Sequence, residues 1–234
     1  METCWSLEPP GPARVLWTRC PWWTNYQDIS KSPFTKGALG GIFTVTLKTE
    51  KGITREVGGM FKEEREQGLF TWSMLGDIEA GRPNLGPLMH LSVYRLMQFT
   101  LRDILIRDFG VETADRIFYE AGKKAGEEFC QNLLAEEKDL NSFLAAIQHH
   151  LKELKIGIFR VESANFEEGS FVITVAEDLD CSGLPVCDEE ICIYDEGFIA
   201  GLLQSYTGQD FEVKEVDCWG SGDRICRFTA KPKK

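Results

Sequence analysis

The sequence predicts an α+β fold in which helices pack on a twisted antiparallel sheet. Three observations lead there. Apolar residues recur at helical spacing in three successive stretches between Leu88 and Leu154. From Lys155 onward the pattern changes to short runs rich in β-branched and aromatic residues. A further helical stretch with Phe198, Ile199, Leu202, Leu203 and Tyr206 splits those runs into two pairs, giving a β-β-α-β-β unit after three helices.

Residues 1 to about 40 hold Trp5, Trp17, Trp22 and Trp23 among five prolines and show no regular period, so an irregular segment is expected. Phe43, Val45 and Leu47 then alternate with threonines, and Lys51 and Gly52 offer a turn. This gives an N-terminal segment over 1–70 with a possible β-hairpin, and a main domain over 71–234.

Between Leu88 and Phe109, apolar residues wrap much of a helix, which predicts burial on several sides, and Gly110 is a natural stop. The second helix carries Ala114, Ile117, Phe118, Ala121, Ala125, Phe129 and Leu133, and Ala121, Gly122, Ala125 and Gly126 make a flat face suited to a close helix neighbour or a ligand. Asp139 or Asn141 caps the third, whose stripe is Leu140, Phe143, Leu144, Ile147, Leu151 and Leu154. His149 and His150 diverge by about 100° on this helix and read as surface residues. Lys155 to Val161 and Ser170 to Ala176 form the first strand pair, with Asn165 and Gly169 in the turn. Phe211 to Val216 and Ile225 to Thr229 form the second, around a loop from Trp219 to Asp223.

A formal charge of -11 removes the electrostatic attraction that dominates nucleic-acid binding, so no direct nucleic-acid partner is expected. No apolar run approaches the roughly 20 residues of a membrane span, and the first residues lack the pattern of a secretory signal. A cytoplasmic location is therefore expected. Dinucleotide, P-loop, serine-elbow and zinc-protease motifs are all missing, which argues against an enzyme.

Eight cysteines in such a chain point to metal or redox chemistry rather than disulfides. Cys181, Cys187, Cys192, Cys218 and Cys226 crowd into the last quarter. Cys218 and Cys226 bracket the Trp219 loop, so paired strands bring them together. Glu215 lies three residues before Cys218, and on a regular strand the two would face apart. The apolar register slips between Val213 and Val216, which predicts a bulge that lets them converge. Cys192 precedes the helix bearing Asp195 and Glu196, where the helix dipole favours a thiolate. Cys181 and Cys187 are close enough to join or replace it. Thiolates and a carboxylate that close the shell suit a structural zinc, with an iron–sulfur cluster as the alternative.

The run from Asp180 to Cys187, Cys192 with Asp195 to Gly201, and Glu215 to Phe228 strongly resembles the vinyl-4-reductase domain family over roughly residues 88–230. That family is similar in fold to subunits of the TRAPP vesicle-tethering complex, often forms homodimers, and includes sensory domains of bacterial activators that respond to phenols. The resemblance implies zinc held by Cys192, Glu215, Cys218 and Cys226, with Cys181 and Cys187 lacking counterparts. The expected function is binding or sensing of a small hydrophobic or aromatic molecule between helices and sheet, with Phe99, Phe118, Phe143 and Tyr206 as candidate lining residues. Two further readings stand beside it: an accessory subunit or reductase acting on a tetrapyrrole or other conjugated ligand, and a protein-interaction scaffold.

Overall fold

The computed structural model describes residues 70–233, apart from 138 and 166. The N-terminal segment and its expected hairpin lie outside the described residues. A 3-10 turn at Trp72–Leu75 and the short helix α1 (Ile78–Gly81) lead into α2 (Leu91–Phe109), α3 (Val111–Leu133) and α4 (Leu140–Glu153). Strands β1 (Ile158–Asn165) and β2 (Ser170–Ala176), helix α5 (Ile193–Thr207), then β3 (Phe211–Asp217) and β4 (Cys226–Pro232) complete the order. The sheet is antiparallel throughout, in the order β1-β2-β4-β3. This is the predicted α+β arrangement with its β-β-α-β-β unit.

Local chemistry sets the element ends. Asp139 caps α4, its carboxylate accepting from the Ser142 amide at 3.0 Å and the Ser142 hydroxyl at 2.6 Å. In the β1–β2 turn, Asn165 Oδ1 accepts from the amides of Glu167 and Glu168, and Gly169 supplies a φ of +66°. The core lies between the helices and one face of the sheet, where Phe143, Ile147, Ile173, Leu202, Phe211 and Phe228 are fully buried.

The closest helix contact is backbone to backbone. A Cβ at Gly122 or Gly126 of α3 would fall 2.0 or 2.1 Å from the carbonyl oxygens of Tyr194 and Phe198. Gly197 and Gly201 of α5 are equally tight against Tyr119 and Lys123 of α3. The small face foreseen on the second helix therefore meets a helix, and α5 brings a matching pair of glycines.

One expectation fails. No residue of α2 is buried, and Leu96, Met97 and Phe109 are each more than 60% exposed. The helix turns a polar stripe inward: Tyr94, Arg95 and Gln98 bond to the loop 178–182, and Arg102 pairs with Asp115 of α3 at 2.6 Å. Val93, Leu96, Ile104 and Ile106 are exposed, while Leu101 and Leu105 line a cavity against α3. An apolar count around the helix cannot reveal which side meets the protein.

No helix among the described residues is long and apolar enough to cross a membrane. The glycine contact leads to a first prediction. Gly201→Ala forces α3 and α5 apart and should cost about 2–3 kcal/mol or more, read by urea unfolding. Alanine at Gly208, which has open space but a φ of +74°, should cost less.

Candidate metal centre

Four segments deliver sulfur to one point. Cys192 is the residue before α5, so the α3–α5 contact fixes its position. Cys226 opens β4, where it pairs with Val175 of β2 and faces the core with Phe228 and Ala230. Cys218 follows β3. The register of β3 on β4 shifts between Glu215 and Asp217, leaving Val216 as the extra residue, so the foreseen bulge is present and Glu215 and Cys218 are both buried. Cys181 arrives from the loop after β2. There Asp178 Oδ1 accepts the amides of Asp180 at 2.7 Å and Cys181 at 3.1 Å, a local turn that points the cysteine inward.

The Sγ atoms of Cys181, Cys192, Cys218 and Cys226 all lie within 4.8 Å of one another, and all four residues are buried. Cys181 and Cys226 approach to 3.1 Å, Cys192 and Cys226 to 3.8 Å, and Cys192 and Cys218 to 3.9 Å. Bonds of ~2.3 Å to a tetrahedral zinc place sulfurs about 3.8 Å apart, so the cluster has the size and donor chemistry to hold a metal. Glu215 stands beside it. Its Oε2 accepts the Cys192 amide at 3.2 Å, while its Oε1 is buried without a hydrogen-bond partner. Glu196 accepts both the Glu215 amide and the Lys214 ammonium at 2.9 Å, pinning the bulge to α5. Cys187 is exposed and outside the cluster, its amide bonded to the Gly220 carbonyl.

The electrostatics follow from crowding. Hydrogen bonds from Cys181, Cys192 and Cys226 hold the Cys218 thiol far below its ordinary range, and the Gly220 amide also points at its sulfur at 3.4 Å. The same contacts with Cys181, Cys218 and Cys226 push Cys192 strongly up, and the contact with Cys181 does most to raise Cys226. One thiolate is thus welcome and further ones repel it, unless a cation enters. Burial, with the Cys218 charge, pushes Glu215 up to about 8. Burial and then Asp180 raise Asp178 to about 6, and burial and Asp178 raise Asp195 well above the usual carboxylate range.

A cavity of about 230 Å³ opens between α2, α3 and the start of α5, lined by Tyr94, Met97, Leu101, Phe118 and Tyr194 among others. Gln98 also lines it. The Gln98 amide nitrogen donates to Asp180 Oδ2 at 2.8 Å, leaving Oε1 buried and unpartnered, and Tyr94 Oη donates to Asp180 Oδ1 at 2.8 Å. Of the four residues anticipated as lining, Phe118 is on this cavity. Phe143 and Tyr206 stack face to face in the core with ring centroids 4.0 Å apart, and Phe99 lies half-buried on α2, outside the lining. Tyr94 and Gln98 escaped the sequence reading. Their signal was a polar i, i+4 pair, continued by Arg102, within an otherwise apolar helix.

Fold and site together define a small α+β domain with a buried four-thiol cluster. Its residues 171–232 match the family model of the vinyl-4-reductase domain. An uncharacterized protein of Methanocaldococcus jannaschii is 28% identical over 147 residues, which are 63% of this chain and 78% of that protein. The phenol-responsive sensory domain of the transcription activator PoxR, solved with phenol, superposes with a TM-score of 0.52 at 16% identity, over 62% of this chain and 76% of that one. A vinyl-4-reductase family protein from the same Methanocaldococcus species gives a TM-score of 0.49 at 16% identity, over 72% of this chain and 99% of its own. The chain is thus similar to the vinyl-4-reductase domain in sequence and to the PoxR sensory domain in fold.

The thiol chemistry sets a second prediction. Cys192 and Cys226 keep their protons at neutral pH in the metal-free chain, so metal must displace them. Zinc binding should release more than one proton per ion, read by calorimetry in buffers of differing ionisation enthalpy, and apparent affinity should fall as the pH is lowered.

Proposed function

We propose that the chain binds and senses a small, largely apolar molecule in the cavity between α2 and α3, beside a structural zinc that braces the fold. The observation carrying this reading is the cavity itself: apolar side chains form most of its wall, and Tyr94, Gln98 and Tyr194 supply a few polar atoms. An apolar cavity of about 150 Å³ suffices for benzene, so about 230 Å³ admits a substituted single-ring molecule. The unpartnered Gln98 Oε1 favours a ligand carrying one hydrogen-bond donor. The fold of the PoxR sensory domain, solved with phenol, is consistent with such a role.

A single zinc is favoured over an iron–sulfur cluster because the sulfurs sit at one-ion spacing, whereas a cluster interposes its own sulfides and spreads them. Zinc ligands are drawn from Cys181, Cys192, Glu215, Cys218 and Cys226. Cys187 contributes no donor at this spacing. Such a closed shell acts by holding the chain together.

The outward apolar face of α2 supports a second feature, a homodimer through this helix. Val93, Leu96 and Ile104, none of which lines the cavity, form an exposed apolar stretch of the kind that marks an interface.

Three measurements check these proposals. Native mass spectrometry and calorimetry should show phenol or a related one-ring molecule bound, and Ala121→Leu, which fills the cavity, should weaken it about tenfold or more at unchanged zinc content. A chain that binds no such molecule refutes the ligand reading. Leu96→Glu should shift a dimer to monomer in light scattering without loss of helix content. Cys218→Ser should cost more than about 4 kcal/mol of stability if the metal braces the fold.

A further inference from the structure

The loop 178–182 serves two parts of the protein. Inside, it delivers Cys181 to the sulfur cluster, where Cys181 Sγ lies 3.1 Å from Cys226 Sγ. Outside, it receives α2. Arg95 donates through Nε to the Leu179 carbonyl at 2.8 Å and through Nη2 to the Ser182 carbonyl at 2.9 Å. Tyr94 and Gln98 each donate to an oxygen of Asp180 at 2.8 Å. Among the described residues, every side-chain hydrogen bond from α2 to a part of the protein beyond α3 ends on this loop. Because α2 has no buried residue, its attachment among the described residues rests on those bonds and on its contact with α3.

Five donors crowd a site that a tetrahedral ion fills with four. Cys181 lies within 4.8 Å of each of the other three sulfurs, whereas no Glu215 oxygen belongs to that set: Oε2 accepts the Cys192 amide and Oε1 is buried without a partner. We infer that Cys181 takes the fourth coordination position as a thiolate in place of the Glu215 carboxylate, and that metal capture by Cys181 latches α2 onto the protein. Bound metal fixes Cys181, and Cys181 fixes the loop whose carbonyls and Asp180 carboxylate hold Arg95, Tyr94 and Gln98. Glu215 acts one step out, orienting the first turn of α5. The latch also sets one wall of the α2–α3 cavity, and in that respect the inference rests on the ligand reading above.

The test counts sulfurs and follows α2 in the full chain. X-ray absorption at the zinc edge should give four sulfurs in the native chain and in Glu215→Gln, and three with one lighter atom in Cys181→Ala. Three sulfurs and an oxygen in the native chain, with the oxygen lost in Glu215→Gln, overturns the assignment. Amide hydrogen exchange should show residues 91–109 opening about tenfold faster after a chelator strips zinc under reducing conditions, with α4 and β2 changed much less. Arg95→Ala keeps the thiols intact and should speed the same amides at a sulfur count of four, which covers the case in which Cys181→Ala does not fold. Unchanged α2 exchange on stripping, or equal acceleration of every element, overturns the latch. Phenol titration is a separate readout. No phenol binding beside a four-sulfur shell and metal-dependent α2 exchange refutes the ligand reading and leaves the latch standing.

Discussion

The backbone contact between α3 and α5 fixes nearly everything else in the domain. Four glycines let the two helices approach until carbonyl oxygens occupy the places that Cβ atoms would fill. That contact sets where α5 begins, and α5 begins just after Cys192. It also places Glu196, which holds the amide of Glu215 and the side chain of Lys214 across the sheet. The bulge of β3, the inward turn of Cys218 and the position of the sulfur cluster all follow from one close helix crossing.

The cluster in turn gathers parts far apart in the chain. A loop after β2, the start of α5, the end of β3 and the start of β4 each give one sulfur, and none of these contributions is stabilised by the others as neutral neighbours alone. Crowded thiols polarise one another, so the Cys218 proton leaves easily while those of Cys192 and Cys226 are held. A cation changes the sign of that argument by replacing mutual repulsion with shared attraction. Around the cluster, Asp178, Asp180, Asp195 and Glu215 form a buried acidic fringe whose charges burial disfavours. Backbone amides answer part of this cost at Asp178 and Glu215, and Tyr94 and Gln98 answer it at Asp180.

Much of the fold was legible because period and turn chemistry are local. The stripe of α4, its Asp139 cap, the Asn165 to Gly169 turn and the slip near Glu215 needed only neighbouring residues to be read. Half of the glycine contact was visible on α3, but its match at Gly197 and Gly201 lay in a helix apolar on every side, with no face to single out. The direction of α2 was not legible, since it depends on what Arg95 and Gln98 meet some 80 residues further along. The entry of Cys181 was equally hidden. Cys181 and Cys187 share one irregular loop, and the Asp178 turn sends the first inward while the Gly220 carbonyl holds the second at the surface.

Val216 shows how a residue can matter through its backbone alone. Its side chain is 44% exposed, and it pairs with no residue across the ladder. Its presence changes the parity of the strand, turning two positions three apart onto one face. Many side chains fit there, yet removing the position would swing Cys218 and the whole Trp219 loop to the opposite face of the sheet. This stretch of β3 is therefore under a constraint of length rather than of composition, tolerant of substitution and intolerant of a single deletion.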